Sequence, residues 1–145
     1  MKVQFFYYWL RGQELSGNDY YMLSAALLID APEAITNSFN KYLLSALDTD
    51  YTTHPEWCVQ VLAEIDQLER GEIASYVWDG QGFQHQMTIS KVTFEHSIFG
   101  ECPDWPLWSC TLAQYKAALQ GWRKFIEMPK SIDTQLIIEL PDDTL

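Results

Sequence analysis

The stretch from Ile73 to Ile89, IASYVWDGQGFQHQMTI, decides how this chain folds. Two apolar and aromatic arms, Ile73 to Trp78 and Phe83 to Ile89, flank Asp79-Gly80-Gln81-Gly82. A short glycine-containing segment between such arms predicts a β-hairpin. In the second arm Phe83, His85, Met87 and Ile89 alternate with Gln84, Gln86, Thr88 and Ser90, which is the two-residue period of a half-buried strand. Val92 and Phe94 carry the apolar side onward at the opposite parity, so a turn or bulge near Ser90-Lys91 is needed to keep that side inward.

Downstream of the hairpin, Gly100 to Cys110 reads as a loop with Pro103 and Pro106. Thr111-Leu112-Ala113-Gln114 is a capping box that opens a helix striped by Leu112, Tyr115, Leu119, Trp122 and Ile126 and ended by Pro129. Gln135 to Leu140 is β-branched and predicts a last strand, followed by a short acidic tail, Pro141 to Leu145.

Upstream, a helix is expected from about His54 to Arg70, with Pro55 in its first turn, the stripe Trp57, Val61, Ile65 and Leu68 inward, and Gly71 as its stop. Asp30 fits an N-cap with Glu33 reaching back, starting a helix whose stripe, Ile35, Phe39, Tyr42, Leu43 and Ala46, ends near Asp48. Tyr20 to Ile29 suits a short strand by length and a helix by its Leu and Ala. A strand is favoured, because the turn-prone residues from Arg11 to Asp19 can join it to the aromatic strand Val3 to Leu10. The expectation is one α+β domain spanning all 145 residues, an antiparallel-rich sheet packed against about three helices.

Composition limits the function classes. The chain is 48% hydrophobic and 14% aromatic, which excludes disordered and fibrous chains, and its longest apolar stretch is half of what a bilayer crossing needs. The N-terminus lacks a cleavage site for export, and Cys58, Cys102 and Cys110 are odd in number, so thiols in a reducing, cytoplasmic setting are expected. Twenty acids against nine bases give a net charge of −11, which repels nucleic acid and anionic membrane. The imbalance belongs to residues 1–110.

Catalytic patterns are missing. His54 and Cys58, four apart on a helix, supply only two of the ligands a zinc ion takes. There is no G-x-S-x-G elbow or Cys–His signature, and Gly80 with Gly82 opens a strand where a phosphate loop would open a helix. Neither cofactor nor metal is expected, and binding to another macromolecule remains. Trp57, Trp78 and Trp122 lie on core stripes, whereas Trp105 and Trp108 sit in a Pro-containing loop, either tucked onto the core or serving as an anchor. The candidate contacts to a basic partner are the loop and edge acids Asp48, Asp50, Asp79, Glu101 and Asp104, then Glu64, Asp66 and Glu72, with Trp105 as the aromatic anchor.

Three segments carry a resemblance: Phe5-Phe6-Tyr7-Tyr8-Trp9; Arg70-Gly71-Glu72 leading to Trp78-Asp79-Gly80; and Leu112 to Leu119 running on to Trp122 and Phe125. With these the chain resembles the small acidic immunity proteins of bacterial toxin systems, including those paired with contact-dependent growth-inhibition toxins. The resemblance implies a cytosolic protein that binds one cognate toxin domain, often a basic nuclease, and blocks its active site or a neighbouring exosite. It carries no site residues onto this chain. An adaptor or complex subunit, or a small enzyme whose site assembles only in three dimensions, are the alternatives.

Overall fold

The computed structural model describes residues 1–11, 20–52 and 54–145. Its elements are β1 (Lys2–Arg11), β2 (Tyr20–Leu28), α1 (Glu33–Phe39), α2 (Glu56–Glu69), β3 (Ser75–Asp79), β4 (Phe83–Thr88), β5 (Lys91–His96), β6 (Trp108–Thr111), α3 (Leu112–Ile126) and β7 (Gln135–Glu139). Two π-helical segments, Asn40–Leu44 and Leu47–Tyr51, prolong α1 into one helical run. The architecture is α+β, but its strands form two antiparallel sheets where one was expected, ordered β2-β1-β7 and β3-β4-β5-β6.

The hairpin forms as its sequence predicts. Trp78 pairs with His85 and Asp79 with Gln84, and the Gly80 amide donates to the Phe83 carbonyl across the turn. Phe83, His85 and Met87 are buried on one face. The parity change is absorbed by the β4–β5 turn, so Met87 pairs with Val92 and the core side stays inward. Ile89, expected inward, lies in that turn and is exposed. Tyr20–Leu28 is the strand that was favoured, paired antiparallel with β1.

Helix α3 ties the sheets together. Its capping box is complete: Thr111 Oγ1 accepts from the Gln114 amide and Gln114 Oε1 accepts from the Thr111 amide, each at 3.0 Å. Tyr115 packs near Phe94 of one sheet, while Trp122 meets Phe5 of the other edge-on at 5.3 Å between ring centroids. Gln114 Nε2 also donates to the carbonyls of Pro141 and Asp143, which pins the tail to the start of this helix. On the first sheet Val3, Phe5, Ala26 and Leu28 face the core, whereas Tyr8, Leu10, Tyr21, Leu23, Leu27 and Ile137 face away and are exposed.

Three local expectations are corrected. Asp30 does not cap α1. Its carboxylate accepts the Lys2 amide at 2.5 Å, and Pro32, with extended ψ, precedes the helix. The segment expected to be loop through Cys110 becomes strand at Trp108, because Ser109 and Cys110 pair with Thr93 and Val92 of β5. The first helical run extends past Asp48 to Tyr51.

Gly121 marks the closest approach of α3 to the first sheet. A Cβ built there would stand 2.6 Å from Ile138 Cδ1 and 3.0 Å from Phe5 Cε2. Alanine would gain about 1 kcal/mol of helix propensity and lose more to overpacking, about 1–3 kcal/mol. Gly121→Ala is therefore expected to lower stability in urea denaturation, although the same change at an exposed helix position would raise it.

Candidate functional site

Asp50, expected among the surface acids, is buried at 1% exposure and is withdrawn as a partner contact. The extended helical run carries it inward. Its carboxylate accepts the Gly82 amide at 2.7 Å and meets His85 Nε2 at 2.8 Å. His85 Nδ1 lies 2.8 Å from the Tyr115 hydroxyl, which lies 2.5 Å from the Tyr51 hydroxyl. All four side chains are shut away from solvent.

Burial holds the His85 pKa below the usual histidine value even against the pull of the Asp50 carboxylate, so the ring is neutral and carries one proton. Only one arrangement then pairs every member. Tyr51 O–H donates to Tyr115, Tyr115 O–H to Nδ1, and Nε2–H to Asp50, so the chain runs one way and ends on the carboxylate. Burial likewise raises both tyrosine pKa values far above the usual range. With no solute able to reach it, this network holds backbone together. It joins the helical run, the hairpin and α3.

The glycines of the hairpin turn serve that network. A Cβ on Gly80 would stand 2.4 Å from Asp50 Cγ, and one on Gly82 would stand 3.1 Å from Thr49 Cγ2. Neither has a positive φ, so what the turn needs from glycine here is room.

The remaining predicted contacts divide by location. On α2 and just after it, Asp66 and Glu72 both pair with Arg70, at 2.9 and 3.4 Å, and Glu64 is half-buried. Asp48 is exposed and accepts from Ser24 Oγ at 2.5 Å. The other four gather at one end of the second sheet. Asp79 closes β3, and Glu101, Asp104 and Trp105 lie in the β5–β6 connection. Trp105 is half-buried against Tyr42, Phe83 and His96, with Lys41 Nζ 4.4 Å above its ring, so it supports this end and does not project from it.

Sequence reasoning missed the apolar tip here. Ile98 and Phe99, in the turn after β5, are 79% and 64% exposed. His96 Nδ1 accepts both of their backbone amides, and its ring stacks on Phe99 at 4.8 Å. Asp79, Glu95, His96 and Phe99 line one shallow groove. Among the described residues none of the carboxylates of Asp79, Glu95, Glu101 and Asp104 forms an ion pair. The arrangement is an apolar knob on a histidine-capped turn, set among unpaired acids. Such an arrangement is complementary to a surface that is apolar at its centre and basic around it.

Other candidates resolve structurally. His54 packs against Trp57, tilted, with ring centroids 4.2 Å apart, while Cys58 is buried, so the two side chains part. Burial raises the Cys58 thiol to about 12. Among the described residues no three His, Cys, Asp or Glu side chains converge as a metal site would require, and no helix is long and apolar enough to cross a membrane.

Two outcomes test the buried network. The unfolded state binds a proton on His85 near pH 6.5 whereas the folded state resists it, so the stability due to this residue is complete above that pH and is lost as pH falls. Urea denaturation is expected to show a slope of up to about 1.4 kcal/mol per pH unit between about pH 7 and 5 that His85→Gln flattens. Gly80→Ala is expected to cost about 3 kcal/mol by displacing Asp50. The cost should shrink when Asp50→Ala has already removed the carboxylate.

Comparison of the chain with protein-family models, curated proteins and solved structures finds no match.

Proposed function

We propose that this protein is an immunity protein that binds and neutralises a cognate, basic, nuclease-type toxin domain by covering its active site or substrate-binding surface. The observation that carries the reading is the tip formed by Ile98 and Phe99, with the unpaired acids Asp79 and Glu95 lining the same groove and Glu101 and Asp104 following in the β5–β6 connection. Tight interfaces concentrate their energy in a few apolar anchors surrounded by residues that exclude water. Carboxylates around such an anchor attract the Lys and Arg side chains with which a nuclease holds phosphate. The net charge of −11 acts in the same direction at longer range. Inhibition of this kind requires no chemistry from the inhibitor.

The two parts of the tip should separate kinetically. The acids speed encounter and confer salt dependence, whereas Phe99 slows dissociation.

Co-purification of a tagged copy from its native host, with mass spectrometry and a salt series, is the direct test. A basic toxin domain released progressively by salt is expected. Phe99→Ala should weaken that complex by about 30-fold or more, chiefly through faster dissociation. Glu101→Gln with Asp104→Asn should slow association and flatten its salt dependence. A complex indifferent to all three changes, or recovery of a metabolite with no protein partner, overturns the reading.

A further inference from the structure

The face of the β2-β1-β7 sheet turned away from the core carries exposed apolar residues on all three strands, beside a Gln4–Gln135 hydrogen bond between β1 and β7. Tyr8, Leu10, Tyr21, Leu23, Leu27 and Ile137 are each between 38% and 52% exposed. An antiparallel sheet of a lone domain ordinarily turns polar residues to water on its outer side. Here the charged residues in register on that side are Lys2 and Glu139, direct cross-strand partners of opposite sign.

We infer that this face is the contact between two copies of the chain, joined sheet to sheet about a two-fold axis. Its area is sufficient. With whole side-chain areas of roughly 150–250 Å², those exposures amount to about 500 Å² per copy and about 1,000 Å² for a pair, the lower bound of a specific interface. A patch of that size also stands at the upper end of what lone soluble domains leave uncovered.

Charge selects the occupant. Two copies each carrying −11 repel one another unless they meet through a surface free of carboxylate excess. Among the described residues this face is such a surface, because Glu139, the acid in register on it, stands opposite Lys2 and meets the Met1 ammonium. A basic partner gains less here than at the end of the other sheet, where the unpaired acids lie. An apolar, neutral surface suits another like itself, and a two-fold contact requires only that one patch match its own copy. Two such sheets pack at about 10 Å, with aromatic and branched side chains interleaved between them.

Sedimentation equilibrium of the purified chain from about 1 to 100 µM tests this directly. A species of twice 16.8 kDa is expected, with a dissociation constant that does not rise with salt. Leu23→Glu, and independently Ile137→Lys on the far strand of the same face, should each raise that constant by about 100-fold or more while leaving the far-ultraviolet circular dichroism of the monomer unchanged. Phe99→Ala should leave it unaltered. No toxin enters the experiment, so its result is independent of the proposed function. A monomer across the whole range, or a dimer that both face substitutions leave intact, overturns the inference. So does a monomer that floats with neutral phosphatidylcholine vesicles, which would assign the face to lipid.

Discussion

A single carboxylate, that of Asp50, is the point on which three distant parts of the chain agree. The helical run places it inside, the hairpin turn supplies the Gly82 amide, and β4 supplies His85, which passes the connection to Tyr115 on α3. A buried acceptor of this strength is costly unless it is fully satisfied, and here every member donates in one direction. Apolar packing alone would tolerate small slips of the hairpin against the helical run. Hydrogen bonds at 2.7 and 2.8 Å to two different residues of the hairpin do not.

Asp50 was nonetheless legible in part. Phe39, Leu43 and Ala46 define a buried stripe, and one further step of four reaches Asp50. The polar run Asp48-Thr49-Asp50 disguises this, because it reads as the end of a helix and as solvent-exposed charge. Periodicity was the better guide there. The glycines of the turn were placed correctly on a general ground, hairpin chemistry, while their particular reason, room for the Asp50 side chain, depends on a residue 30 positions upstream of Gly80 and leaves no local trace. The division into two sheets was hidden for a similar reason: strand-to-strand partnering is a long-range property, and β1 takes β7 as its neighbour.

The candidate site shows the same split. Asp79, Glu101 and Asp104 were found from loop position and charge, and they do share one end of a sheet. Asp66 and Glu72 were equally acidic in sequence, but Arg70 lies between them in the chain and answers both. Ile98 and Phe99 carried a signal that composition does not reward: two large apolar residues with no partner period, between Ser97 and Gly100, in a segment too short to bury them. Trp105 was singled out from that loop, yet its size favours the core over solvent.

The pairing of β1 with β7 sets Lys2 beside Glu139, so β1 is completed by a strand that follows all the other described elements in the chain. During synthesis, the β1–β2 hairpin waits for more than 90 residues before Trp122 and Phe125 arrive to cover Phe5. At about 5–20 residues per second that wait is on the order of 10 s. Through that interval Phe5 lacks its α3 cover, while the helical run that follows β2 can already pack on that strand. The four strands from Ser75 to Thr111, by contrast, pair in chain order and lead directly into α3. Of the described strands β7 follows all the others, so the β2-β1-β7 sheet closes only after the second sheet and α3 have been made.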